Sequence, residues 1–239
     1  MPKLAANLSM MFNEVDFFDR FDAAARAGFK GVEYLFPYDY EKNAIAEALE
    51  RNGLEQVLFD LPAGDWDGGD RGITIHPDRV GEFQEGVGKA VEYADRLGCR
   101  RVTALAGTVP DGISSDRLNQ TLVMNLKFAA AELEKVGAVL LLEAINTRDI
   151  PGFFVRETKQ ALDIINELEV PNIKLQYDIY HMQIMEGDLA PTIEANLDRI
   201  GHFQLADNPG RNEPGTGEIN YHFLLPLIDR HSCAYQGDH

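Results

Sequence analysis

Seven short apolar runs alternate with seven amphipathic stretches along the chain, and this alternation limits the fold more than any other feature. Runs at 4–8, 31–35, 56–61, 101–105, 139–142, 173–177 and 202–205 read as strands. Between them, 15–27 has helical spacing, and 45–49 lies on a second helix. Val80, Phe83, Val87, Val91 and Ala94 recur at three- and four-residue intervals, as do Leu118, Leu122, Leu126, Ala129 and Leu133. Each set is the pattern of a helix with one buried face. Ala161, Leu162, Ile165 and Leu168 mark another helix, and 193–197 and 221–229 mark two more. Strict alternation of this kind requires parallel strands joined by helical crossovers, an α/β architecture.

Seven such units in 239 residues predict a (β/α)8 TIM barrel, whose usual size is ~250 residues, over an open doubly wound sheet. The dinucleotide-binding form of the open sheet needs a glycine fingerprint after its first strand, where this sequence reads NLSMMFNEVD. Gly86 and Gly88 form an isolated G-x-G inside a helical pattern and read as helix-packing residues. No linker interrupts the pattern, so 1–239 is expected to be a single domain. The eighth strand is expected to start at 233–235 and to be incomplete.

Composition removes several function classes. The formal net charge is −17, the opposite of the basic face that neutralises phosphates or binds anionic lipid, so neither nucleic acid nor membrane is expected as a partner. The longest apolar stretch, 136–142, is far short of the ~20 residues of a membrane helix. The start, MPKLAANLSMMF, lacks the pattern of a signal peptide. Cys99 and Cys233 are far apart and belong to no Cys-x-x-Cys pair, which predicts two reduced thiols in a cytoplasmic protein. A homo-oligomer is left open.

In a barrel the chemistry gathers at the C-terminal ends of the strands. The fifth predicted strand ends at Glu143, the sixth at Asp178, and the seventh carries Gln204. Three oxygen-bearing side chains from consecutive strand ends make a site for a hard divalent cation. With no thiolate and no histidine among them, Mg²⁺ or Mn²⁺ is expected over Zn²⁺. His181 stands three residues after Asp178 in the expected loop, where it either meets substrate or simply faces solvent or caps a helix. Arg71 and Arg211 lie in glycine- and proline-rich segments, 61–72 and 206–217, that directly follow strands. An arginine there can grip a carboxylate in two-pronged fashion or form an ordinary surface ion pair. Trp66, the single tryptophan, either covers the site or packs its loop on the barrel.

The segments VEYLFPY, LPAGDW, GDRG, ALAG, LLEAIN, DIPGF, QYDIYHMQ and ADNPGRNEPGTGEINY together resemble the hydroxypyruvate isomerase family, within the xylose-isomerase-like barrels. The resemblance runs from 7 to about 235, and QYDIYHMQ and ADNPGRNEPGTGEINY are its most specific parts. It implies a barrel with a metal held by Glu, Asp, Gln and a final Glu, of which the first three fall on Glu143, Asp178 and Gln204. His181 and Arg211 match substrate-oxygen contacts of related epimerases. The final glutamate belongs to the eighth strand, beyond the part resembling 234–237, and no residue of this sequence matches it. Asp238 is the nearest chemical substitute.

The resemblance implies a small hydroxy-oxo acid as substrate. Hydroxypyruvate and 2-hydroxy-3-oxopropanoate would interconvert through an enediolate, with Glu143 as metal ligand and proton carrier. The alternatives are a sister isomerase acting on a four-carbon 2-oxotetronate and a catalytically impaired ligand-binding barrel. A metal-dependent endonuclease on the same fold is disfavoured by the charge and by Gln204.

Overall fold

The computed structural model describes residues 2–232. Its strands are β1 (Ala5–Asn7), β2 (Gly31–Glu33), β3 (Glu55–Asp60), β4 (Arg101–Ala104), β5 (Val139–Glu143), β6 (Ile173–Asp178) and β7 (Ile200–Gln204). The helices are α1 (Phe17–Arg26), α2 (Lys42–Asn52), α3 (Val80–Leu97), α4 (Ser115–Glu134), α5 (Thr158–Leu168), α6 (Ile179–Met185), α7 (Leu189–Asn196) and α8 (Tyr221–Ser232). All seven strands pair in parallel and in sequence order. The expected strand at 233–235 and Asp238 lie outside the described residues. Among the described residues, no helix is long and apolar enough to cross a membrane.

Hydrogen bonds across the interior show that the sheet curls. β2 and β7 are five strands apart, roughly 24 Å in a flat sheet at ~4.8 Å per strand. Yet His202 Nε2 on β7 lies 2.7 Å from Glu33 Oε2 on β2. Gln204 Nε2 donates to Glu33 Oε1 at 2.8 Å, and Asn7 Nδ2 donates to the same oxygen at 3.0 Å. Thr103 on β4 donates to Gln176 on β6 at 2.5 Å, and Arg101 Nε reaches the Gly201 carbonyl on β7. Leu140, Leu141 and Leu142 are all fully buried, as expected for a parallel strand covered on both faces.

The helices form where the periodicity predicts them. In α3 the stripe Phe83, Val87, Ala90 and Ala94 is buried. A Cβ on Gly86 would meet Pro62 at 3.2 Å, so this glycine does allow close packing, whereas nothing crowds Gly88. One helix was not foreseen. α6 starts immediately after β6, because the Asp178 side chain caps it, Oδ1 accepting from Tyr180 N (2.8 Å) and His181 N (3.2 Å). His181 is therefore helical and buried, correcting the expectation of a loop position and the solvent-facing alternative.

The loops after β3 and β4 touch through backbone. Gly72 has φ +112°, and a Cβ there would lie 2.3 Å from the Leu105 carbonyl oxygen. Gly28 also has positive φ, +97°, but its surroundings are open. Backbone strain alone should cost Gly28→Ala about 1–3 kcal/mol. Gly72→Ala adds a clash with main chain and should lower the urea midpoint further than Gly28→Ala. Equal midpoints would show that the loop crossing is loose.

Candidate active site at the strand ends

Nearly every strand ends its course in a polar side chain, and these ends converge. Glu33 closes β2, Asp60 closes β3, Glu143 closes β5, and Asp178 closes β6; all four carboxyls are buried. Burial of several carboxylates together disfavours the charged form. Burial, then the neighbouring Glu143 and Glu33 charges, push Asp60 well above the ordinary carboxylate value, with nearby Thr103 opposing. Burial, reinforced by Asp178 and partly opposed by Arg211, pushes Glu143 up to about 8.

Glu143, Asp178 and His181 each offer a ligand atom within 4.8 Å of the others. His181 Nε2 lies 3.6 Å from Asp178 Oδ2 and 3.9 Å from Glu143 Oε1. Arg211 reaches the same point from the β7–α8 loop, with Nη2 2.8 Å from Asp178 Oδ2 and Nη1 3.1 Å from His181 Nε2. Its guanidinium also lies 5.1 Å from the centre of the Tyr180 ring. The two carboxyls suit a divalent cation: both are buried and carry more potential negative charge than the single arginine balances. A hard cation would also displace the proton that Glu143 retains near neutrality.

Four of the sequence-predicted residues thus meet: Glu143, Asp178, His181 and Arg211. Gln204 is at its expected strand end, with its amide held between Gln176, which donates to Oε1 at 3.1 Å, and Glu33. Arg71 is not drawn into the cluster. Its Nη1 donates to the carbonyls of Trp66 (2.9 Å) and Asp70 (2.6 Å), and its guanidinium lies 4.4 Å from the Trp66 ring centre. Trp66 in turn packs on Phe36 in the loop after β2, so this arginine braces its own loop.

Sequence reasoning missed Glu33, Asp60 and His202; Glu33 and Asp60 each sit inside a run read as strand, at 31–35 and 56–61, rather than just after one as Glu143 does. It also missed Asn146, Asp149 and Tyr180, which surround His181. Asp207 was missed as the core of the arginine-bearing loop. This buried carboxylate accepts from the backbone N–H groups of Asn208, Gly215 and Ile219, at 3.0, 2.7 and 3.0 Å. Those bonds hold its carboxyl below the ordinary value although burial opposes them.

Comparison with known proteins gives the same fold. The family model for the xylose isomerase-like TIM barrel matches residues 21–237. The chain is 51% identical to the hydroxypyruvate isomerase of Escherichia coli (strain K12), over 96% of this chain and 89% of that one. It is 43% identical to the 2-oxo-tetronate isomerase of Cupriavidus necator, over 99% and 90% of the two chains. A crystal structure described as an AP endonuclease of family 2 from Brucella melitensis superposes with a TM-score of 0.94 at 42% identity, covering 96% of this chain and 89% of that one.

Glu143 binds its proton more tightly in the folded chain than in an unfolded one, where its value is ~4.3. In the metal-free protein it should therefore add stability as pH falls from about 8 towards that range, and lose it as pH rises. Thermal unfolding of Glu143→Gln should have a flatter pH profile over this window than the parent. Parallel profiles would show an unperturbed carboxylate. From the strand order, the strand-end residues and the relatives together, the chain belongs to the xylose isomerase-like TIM barrel family and, within it, to the hydroxypyruvate isomerase group of isomerases.

Proposed function

We propose that the chain interconverts hydroxypyruvate and 2-hydroxy-3-oxopropanoate with the help of Mg²⁺ or Mn²⁺. The carrying observation is Glu143, a buried carboxyl raised to about 8 beside Asp178, His181 and Arg211. A group that exchanges a proton near neutral pH is what an isomerase needs at a carbon acid. The E. coli relative named hydroxypyruvate isomerase supports this substrate.

In this reading a proton leaves C3 of hydroxypyruvate, an enediolate forms across C2 and C3, and a proton is returned to C2. The hydroxyl proton passes between the two oxygens, so the overall reaction is a shift of hydrogen. Glu143 carries one of the two carbon-bound protons. Glu143, Asp178 and Gln204 are the residues that would hold the cation. When bound, the cation would lower the energy of the enediolate as a Lewis acid. His181 and Arg211 meet the substrate's oxygens. Arg71 or Arg211 holds the substrate carboxylate, with Arg71 spending only Nη1 on carbonyls of its own loop.

A four-carbon substrate is the second reading, favoured by the Cupriavidus relative named 2-oxo-tetronate isomerase. An endonuclease reading, suggested by the description of the Brucella chain, has against it the formal charge of −17.

Hydroxypyruvate in D₂O should yield the semialdehyde with deuterium at carbon, and only with Mg²⁺ or Mn²⁺ present. Glu143→Gln should lower turnover by about 10²-fold or more, the usual range for a lost general base. Full turnover by that variant would remove Glu143 from the mechanism. Higher kcat/KM on the four-carbon acid would select the second reading.

A further inference from the structure

The ring of His181 is held between donors on both sides, and their placement decides which nitrogen carries the proton. Asn146 Nδ2 lies 2.6 Å from His181 Nδ1, and the Asn146 backbone N–H points at the same nitrogen from 3.4 Å. The Asn146 amide is fixed by other bonds. Its Oδ1 accepts the Asp149 N–H at 2.8 Å, and its Nδ2 donates to Asp149 Oδ2 at 3.0 Å. Turning the amide over would set oxygen against that carboxylate and NH₂ against an N–H. Tyr180 holds the same Asp149 oxygen from 2.7 Å.

A neutral imidazole has one donor nitrogen and one acceptor. Two N–H donors face Nδ1, so that nitrogen is the bare acceptor of a neutral ring. A proton on Nδ1 would oppose two donors, one of them immovable backbone. A proton on Nε2 opposes only Arg211 Nη1 at 3.1 Å, the end of a long side chain.

We propose that Asn146, oriented by Asp149, is a positioning residue that fixes His181 as the Nε2–H tautomer, making His181 and Arg211 a two-donor cradle for the substrate oxygen on which negative charge develops. An Nε2 bearing hydrogen has no lone pair for a cation, so His181 stands outside the ligand set although it lies beside Glu143 and Asp178. Paired donors aimed at a developing oxyanion lower the barrier without reorganising during the reaction. The catalytic consequence rests on the isomerase reading, while the tautomer belongs to the protein alone.

Long-range ¹H–¹⁵N correlation spectra of ¹⁵N-histidine protein, above neutral pH and without substrate, read the tautomer directly. His181→Gln identifies the signal among the six histidines. The expected spectrum has Nε2 protonated and Nδ1 bare, and Asn146→Ala shifts it towards a mixture while the other histidine signals stay in place. Asn146→Ala should lower kcat about tenfold or more with a smaller change in KM, as for loss of part of an oxyanion cradle. Mn²⁺ affinity should survive in His181→Gln and fall in Asp178→Asn. An Nδ1–H tautomer in the parent, a tautomer indifferent to Asn146→Ala, or Mn²⁺ affinity lost with His181 would each overturn the proposal. Should Asn146→Ala fail to fold, the parent spectrum and the Mn²⁺ comparison decide alone.

Discussion

The Glu143–Asp178 pair is the constraint on which the rest of the site depends. Two carboxyls at adjacent strand ends, both buried, cannot both ionise without a positive group beside them. The fold meets this demand from several directions. Asp178 spends one oxygen on the N-terminus of α6 and the other on Arg211. Glu143 has only the Gln176 amide and the more distant charge of Arg211 to offset its burial, and its value is raised to about 8. One strand end is thus tied down by capping and a guanidinium, while its neighbour is poised to give up or take a proton. That division of labour between two similar groups is set by their surroundings alone.

The surrounding structure exists to hold these groups still. Glu33 ties the first strands to the last through His202, Gln204 and Asn7, across the interior rather than along the sheet. Asp207 gathers three backbone N–H groups and so shapes the loop that delivers Arg211, whose own φ is +56°. Capping of α6 by Asp178 sets His181 one turn further on, facing the carboxyls. The same side chain therefore starts the helix and anchors the site, and the placement of His181 follows from helix geometry.

Much of the fold was legible because periodicity reports burial. Runs such as Leu140–Leu141–Leu142 are covered on both faces, and α3 shows one apolar stripe. The strand-end rule then found Glu143, Asp178 and Gln204, since an apolar run that stops at an acid stands out. It passed over Glu33 and Asp60 because apolar residues continue after each, although the structure ends β2 and β3 there. α6 was missed because seven residues are too few to display a helical period, and its start depends on an aspartate that reads equally well as a ligand. Asn146 and Asp149 were invisible for a different reason. Their importance lies in a contact with His181, 35 positions away from Asn146, that no local pattern records. Arg71 and Arg211 looked alike in sequence, each in a glycine-rich loop. Only the bonds of Arg71 to its own loop carbonyls separate them.

The central claim is that Glu143 holds a proton that a divalent cation displaces. Calorimetric titration of the metal-free protein with Mn²⁺ near pH 7, repeated in buffers of different ionisation enthalpy, counts the protons released on binding. The account predicts release of close to one proton in the parent and much less in Glu143→Gln. Binding without proton release, or release unchanged in the variant, would contradict it.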